Sequence, residues 1–303
     1  MSLVIPQVKA LYALSRGTQA TLSVAQPLVA VLLATDRPPP LRLAMVTAFA
    51  LTGFFAVFAA NDLFDAPLDR AREPDHQDGV RDIDSIGGLH PLARGRLRHR
   101  HALAWVLGLS TFALVLGMLL SLIAAALFVT AALLQVLYCK LATVTAAKTL
   151  VSGVMVAVGT SAGWFVSTPV VDLVPLGLFA LWMAAWEIGG RNIPNDLADV
   201  VEDARMGIRT VPVAFGPLRS AQTACVFLTI TAVASISLAV TSWTSFGPIG
   251  LVGTVLTAGL TLLIPARRLI QNPTPPTALA VFNITSLHPA CVLAAFVTGL
   301  VTR

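Results

Sequence analysis

Nine long apolar stretches, separated by short polar segments, make up most of the chain. Each has about 18 residues or more, which is the length that an α-helix needs to cross a bilayer. Backbone groups in lipid must hydrogen-bond within their own segment, so such spans are helical. The predicted spans lie near residues 17–35, 42–60, 101–119, 120–139, 149–168, 172–190, 220–241, 246–265 and 277–301. The pattern predicts an all-α, polytopic membrane protein, with residues 1–303 forming one bundle and a single domain.

Composition and charge support this prediction and add an orientation. Hydrophobic residues make up 56% of the chain and charged residues 12%, whereas about a quarter of the residues in soluble domains are charged. With nine spans, 17 of the 20 Lys and Arg residues fall on one side of the membrane. The positive-inside rule places that side in the cytoplasm. We therefore interpret the net charge of +5 as topological, expect no nucleic-acid partner, and expect an integral protein of a bacterial cell membrane.

Two polar segments on the predicted cytoplasmic side are near-copies of each other. Residues 61–69, after span 2, and residues 195–203, after span 6, both read N-D-L-x-D-x-x-x-D. Seven of the 15 acidic residues lie in these two windows. On a helix, the Asn and the second and third acidic positions would share one face, although Pro67 is expected to kink the first helix and displace Asp69. The segment that follows the first copy is expected to form a cytoplasmic cap.

The chemistry of these segments suggests a metal-dependent site. Mg²⁺ prefers oxygen ligands and is commonly shared between one or two carboxylates and substrate phosphates. Two such segments with Arg and Lys nearby would bind a diphosphate, and the apolar spans would surround an attached hydrocarbon. The residues therefore favour cleavage of an allylic C–O bond, with the metal stabilising the departing pyrophosphate.

Simpler explanations exist for the same residues. The aspartates could cap helices or form surface ion pairs with neighbouring arginines. A cation or phosphate transporter is a further alternative, but it predicts charged residues near mid-membrane, whereas these spans are nearly uncharged between their ends. The repetition of the motif on one side of the membrane favours a shared functional site.

The motifs and their flanks resemble the UbiA superfamily of intramembrane prenyltransferases. Residues 90–95 (HPLARG) are similar to that family's R-P-L-x-x-G turn, and residues 190–196 (GRNIPND) and 207–212 (GIRTVP) are similar to the segments around its second motif. Two departures stand out: His90 replaces the Arg of the turn, and Ala142 replaces the Lys of the family's Y-x-x-x-K after Tyr138.

The resemblance implies roles for individual residues. The implied catalytic residues are Asp65, Asp199 and Asp203. The implied Mg²⁺ ligands are Asn61, Asp65, Asp69, Asp199 and Asp203. The implied substrate-binding residues are Asp62, Arg70, Arg94, Lys148, Asn195, Asp196 and Arg209.

The resemblance also implies the reaction. We expect Mg²⁺-dependent transfer of a prenyl group from an isoprenyl diphosphate, through an ionised allylic carbocation, to an aromatic acceptor of the hydroxybenzoate or quinone-precursor type. The alternative is a membrane terpene cyclase of the same superfamily, which has no separate acceptor. Arg16 is expected either to snorkel to the interface or to reach a bound anion, and the i, i+4 spacing of Glu187 and Arg191 predicts a helix ion pair.

Overall fold

The computed structural model describes residues 4–35, 37–69, 83 and 90–302, with backbone only for residues 4–6, 68 and 69. The described chain is helical and contains no β-strand. Most of the expected cytoplasmic cap, together with Arg70, lies outside the described residues. The helices are α1 (Val4–Leu14), α2 (Gly17–Ser23), α3 (Ala25–Ala34), α4 (Pro40–Asp69), α5 (His99–Leu120), α6 (Leu122–Leu141), α7 (Lys148–Ser167), α8 (Leu173–Trp186), α9 (Ile193–Ala198), α10 (Val200–Arg205), α11 (Val211–Phe215), α12 (Pro217–Thr241), α13 (Trp243–Ala258), α14 (Ile264–Gln271), α15 (Pro275–Thr285) and α16 (His288–Val301).

Nine segments of the described chain are long and apolar enough to span a membrane, which confirms the all-α polytopic class. Several of them combine more than one helix, because π-helical turns at Glu187–Asn192 and Gly259–Leu263 connect their neighbours without a break. The second span runs to Pro67 and the sixth to Ala198, both further than the hydropathy pattern indicated. The first residues of each acidic motif therefore belong to the end of a spanning segment.

The bundle is held together by tight packing at its centre. Helix α8 lies between α7 and α12, and α13 packs along α16. The rings of Phe246 and Phe296 stack with centroids 4.0 Å apart, and Trp182 and Trp186 are almost fully buried. Because lipid tails are as apolar as these side chains, association of the helices depends on close van der Waals contact and on small residues.

The backbone differs between the two motifs. In the first motif Pro67 lies inside α4, which continues to Asp69, and the expected kink that would displace Asp69 stays a prediction. In the second motif the helix is interrupted at Asp199 (φ −100°, ψ 9°), between α9 and α10. The residues of the second motif therefore do not share one straight helical face.

Gly163 is a position where helix packing leaves no room for a side chain. A Cβ at Gly163 in α7 would overlap the backbone carbonyl of Pro27 in α3. We expect Gly163→Ala to lower the free energy of unfolding by about 1–3 kcal/mol, because two backbones must separate. Thermal unfolding in detergent tests this. Gly177→Ala, where a Cβ meets nothing within 4 Å, is the control, and equal melting temperatures for the two variants would contradict the packing described.

Candidate active site

The first motif is held in position by a neighbouring helix. Asn61 Nδ2 donates to Asp65 Oδ2 (2.9 Å), one helical turn away. The side-chain oxygen of Asn61 accepts from Gln135 Nε2 of α6 (2.7 Å). With both ends of its amide engaged, Asn61 has a fixed orientation, and it orients Asp65 in turn. Gln135 was not identified from the sequence, although it is the only amide in its span.

The second motif surrounds the break between α9 and α10. The backbone N–H of Asp199 bonds to the carbonyl of Asn195 (3.1 Å), and the N–H of Asp203 bonds to that of Asp199 (2.9 Å). This continuous hydrogen bonding keeps the three residues on one side of the chain despite the interruption. Asp203 is 4% exposed and Asp196 is 5% exposed, so both carboxylates are withdrawn from bulk solvent.

The two motifs meet at one cavity, which we call the polar cavity, of about 170 Å³. Its wall includes residues from the first motif, from the second motif and from the start of α7: Asn61, Asp65, Lys148, Asn195, Asp196, Asp199 and Asp203. These seven sequence-predicted site residues come from three separate parts of the chain. The structure thus brings together the two segments that the repeated motif linked.

Lys148 connects the second motif to α6 and α7. Its Nζ lies 3.7 Å from Asp196 Oδ1 and donates to Tyr138 Oη (3.2 Å). Asn192 Nδ2 also donates to Tyr138 Oη (3.0 Å). A buried ammonium needs such partners, because an unpaired charge away from water is costly. Lys148 therefore places a cation beside Tyr138, where the family pattern would have a lysine at the position of Ala142.

Arg16 and His90 line the same cavity and have an unusual backbone conformation. They are the two non-glycine residues of the described chain with positive φ, at 44° and 50°. Such conformations cost roughly 1–3 kcal/mol each and persist where the surrounding structure imposes them, commonly at functional sites. Arg16 therefore lies at the cavity, where the expectation that it reaches a bound anion stays a prediction.

Three other predicted substrate-binding residues do not line the cavity. Asp62 faces His90, with Oδ1 and Nδ1 3.4 Å apart. It therefore contacts a lining residue without lining the cavity itself. Arg94 and Arg209 are exposed, and the backbone N–H of Arg209 bonds to the carbonyl of Ala142 (2.8 Å). The side chain of Asp69, like Arg70, lies outside the described residues.

A second cavity, the apolar cavity, of about 120 Å³, adjoins the polar one. The two share the lining residues Phe58, Gln135, Met155, Glu187 and Arg191. From there the apolar cavity follows α4 to Phe49 and α7 to Thr160. Twelve helical residues separate Asn61 from Phe49, a distance of about 18 Å along the axis. The site thus joins a charged end to a deep apolar end.

The charges of the polar cavity indicate what it can bind. Five carboxylates and three Arg or Lys side chains line it, so its own groups sum to a net negative charge. Within the described ranges, no three acidic, His or Cys side chains converge closely enough to hold a metal ion by themselves. Oδ2 of Asp196 is buried without a hydrogen-bond partner. These oxygen ligands fit Mg²⁺ that shares its coordination with substrate phosphates.

Comparison with solved structures identifies the same fold in proteins of low sequence identity. A UbiA homologue from Aeropyrum pernix K1 superposes with a TM-score of 0.75 at 17% identity, over 92% of this chain and 97% of that chain. A UbiA homologue from Archaeoglobus fulgidus, solved with DMAPP and Mg²⁺, gives a TM-score of 0.68 at 17% identity, over 97% and 99%. A digeranylgeranylglyceryl phosphate synthase structure gives 0.69 at 19% identity, over 98% and 99%.

Sequence comparison identifies the family of the chain in addition to its fold. A search of curated protein sequences found no match. The profile of the UbiA prenyltransferase family, however, matches residues 23–287, a range that contains both acidic motifs and every lining residue of the two cavities except Arg16. The chain belongs to the UbiA prenyltransferase family.

Proposed function

We propose that this prenyltransferase binds an isoprenyl diphosphate with Mg²⁺ in the polar cavity and transfers the prenyl group to an aromatic acceptor. The observation that carries the proposal is the excess of carboxylates over Arg and Lys around a cavity that opens into an apolar one. A diphosphate would be repelled by the net negative charge unless divalent cations entered with it. A purely apolar ligand, conversely, would leave the charged end unused.

Each motif contributes a different part of the proposed site. Asp65, oriented by Asn61, provides ligand oxygens from one side, and Asp199 and Asp203 provide them from the other, with Asp69 as a further ligand. When bound, Mg²⁺ would neutralise the diphosphate and stabilise the pyrophosphate that leaves. Lys148 and Arg16 supply donors for phosphate oxygens, a role in which point charges and guanidinium forks are both effective. Asn195 and Asp196 line the same wall, and Asp62 positions His90.

The apolar cavity suits the hydrocarbon of the donor. Most of its lining along α4, α6 and α7 is aliphatic or aromatic, with Gln135 and Thr160 as the polar exceptions, and burial of a CH₂ group is worth about 0.8 kcal/mol. The A. fulgidus homologue has been solved with DMAPP and with GPP, in each case with Mg²⁺, so this fold accommodates prenyl diphosphates. Arg94 and Arg209, which are exposed, would attract the diphosphate from outside the described cavity wall. Arg70, which is outside the described residues, stays a predicted substrate-binding residue.

The acceptor distinguishes two candidate reactions. We favour an aromatic acceptor of the hydroxybenzoate or quinone-precursor type, which needs space beside the reacting carbon. The alternative, a terpene cyclase, needs only the donor. Incubating the purified enzyme with a radiolabelled prenyl diphosphate, with and without Mg²⁺ and with a panel of aromatic acceptors, tests the proposal. A labelled adduct that requires both Mg²⁺ and an acceptor supports transfer; a cyclised hydrocarbon or alcohol formed without an acceptor supports the cyclase.

We also propose that residues 1–303 form one domain in a bacterial cell membrane, with the polar cavity facing the cytoplasm. The support is the distribution of charge in the sequence, in which 17 of the 20 Lys and Arg residues are predicted to fall on the side of the acidic motifs, as the positive-inside rule expects for a cytoplasmic face. A cysteine accessibility experiment at the loop that follows α6 would test this orientation.

We expect the side chains at the inner end of the apolar cavity to limit the length of the donor's prenyl chain. Phe49 and Phe128 meet there edge to face, with centroids 5.9 Å apart. We expect Phe49→Ala to raise kcat/KM for a donor one isoprene unit longer, relative to the shorter one, by about tenfold, since a pocket discriminates added methylenes by 10- to 200-fold. Competition between two donors measures the ratio. Phe112→Ala, which changes an exposed ring on α5, is the control, and an unchanged ratio for Phe49→Ala would contradict the assignment.

A further inference from the structure

Glu187 lies where the polar cavity meets the apolar cavity. It is one of five residues that line both, and the only acidic one among them. It precedes Asn195 by eight residues in the same spanning segment, which places it about two helical turns deeper. A carboxylate within a membrane span is costly, and such residues are commonly functional.

Glu187 lines the cavity, and one of its carboxylate oxygens is bound by α7. Ser152 Oγ of α7 donates to Oε1 (2.6 Å). Glu187 begins the π-helical segment Glu187–Asn192, whose wider turns change the i, i+4 spacing on which the predicted ion pair depended. Arg191 instead hydrogen-bonds to Gln19, and its guanidinium lies 5.3 Å from the ring of Trp186. In the part of the chain with described side chains, no cation forms an ion pair with Glu187, so the expectation from spacing was wrong.

Most of the other charged groups near this junction have an ion-pair partner or a role in the proposed metal site. Lys148 of α7 is paired with Asp196 of α9, and Asp65, Asp199 and Asp203 belong to the proposed metal site. Arg16 and Arg191 are the remaining charged residues of the polar cavity wall. Among the carboxylates that line the polar cavity, Glu187 is therefore the one that neither pairs with Lys148 nor belongs to the proposed metal site, and it also lines the apolar cavity.

We infer that Glu187 takes up the proton that the acceptor loses on prenylation. The inference rests on the proposed transfer reaction, in which the donor's reacting carbon lies between the diphosphate and the hydrocarbon, at this junction. The C–O bond to diphosphate breaks with its electron pair on the oxygen, and an electron pair of the acceptor forms the new bond to the prenyl carbon. The bond between that acceptor atom and its hydrogen then breaks, its electron pair stays in the acceptor, and the proton passes to Oε2 of Glu187. Water at the cavity mouth removes the proton from the neutral acid.

Glu187→Gln tests the inference with little change of shape. The glutamine side-chain oxygen can still accept from Ser152, but the amide is not a base. We expect kcat for the prenylated product to fall about 100-fold, the lower end of typical general-base contributions, with the Kd of the donor in Mg²⁺ unchanged within about twofold. Diphosphate release should fall much less, because water captures the allylic cation as prenyl alcohol. The ratio of diphosphate released to product formed, near one in the wild type, should therefore rise about tenfold or more.

The matched control is Glu202→Gln, which removes a carboxylate paired at the surface with Arg205, and it should leave both the rate and the ratio unchanged. Glu187→Gln with wild-type product formation, or with product and diphosphate release reduced equally, would overturn the inference while the proposed function stands. A wild-type enzyme that transfers no prenyl group to any acceptor would overturn both. Unchanged donor affinity shows that the variant is folded.

Discussion

Asp203→Asn is expected to reduce kcat/KM by about 1,000-fold, the largest effect of any conservative change in this protein. Asp203 is 4% exposed, lines the polar cavity and follows the helix break in the second motif. Asparagine keeps the size of the side chain but removes the negative charge that attracts a divalent cation. A thousandfold loss corresponds to about 4 kcal/mol of transition-state stabilisation, within the several kcal/mol that a metal supplies.

The measurement is initial-rate kinetics over a range of Mg²⁺ concentrations, with Glu202→Gln as the control. Glu202 is the adjacent carboxylate and pairs with Arg205 at the surface, so it should keep wild-type rates. If Asp203→Asn retained more than a tenth of the activity at saturating Mg²⁺, the proposed ligand role would be incorrect.

Lys148→Met is expected to weaken donor binding 10- to 100-fold and also to destabilise the fold. Hydrogen bonds to charged groups contribute about 1.5–3 kcal/mol, and 1.4 kcal/mol is a tenfold change in affinity. The same substitution leaves the buried carboxylate of Asp196 without its cation, which commonly costs about 3–5 kcal/mol. The two consequences have different causes and can be separated.

The double variant Lys148→Met/Asp196→Asn separates them. Neutralising Asp196 should restore most of the melting temperature but not the affinity for the donor, measured by equilibrium binding in Mg²⁺. Lys140→Met, at an exposed lysine near the end of α6, is the control for loss of a positive charge. Restoration of affinity in the double variant would show that Lys148 acts only on Asp196 and does not reach the diphosphate.

Hydropathy and the repeated motif were sufficient to predict the class of fold and the pairing of the two motifs. Both signals are local: a span is recognised from its length, and each motif copy from its own residues. The predicted and observed geometries agree most closely at Asn61 and Asp65, which share a turn of regular helix and hydrogen-bond directly.

Contacts between helices were not predictable in the same way, because they depend on how each helix is rotated about its axis. Gln135 reaches Asn61 across 74 positions of sequence, and its role is visible only once α6 lies beside α4. Glu187 was misinterpreted for a related reason, since the i, i+4 rule assumes a regular α-helix and this segment is π-helical. The second motif likewise contains no proline or glycine that would have predicted the break at Asp199.

Both motifs are proposed to hold one metal-bound diphosphate. A structure determined with Mn²⁺ and a non-hydrolysable prenyl thiolodiphosphate, using anomalous scattering to place the metal, tests this directly. We expect metal within coordination distance of Asp65 on one side and of Asp199 or Asp203 on the other, with the diphosphate between them and the hydrocarbon in the apolar cavity. Metal bound by one motif alone, or a diphosphate bound outside the polar cavity, would contradict it.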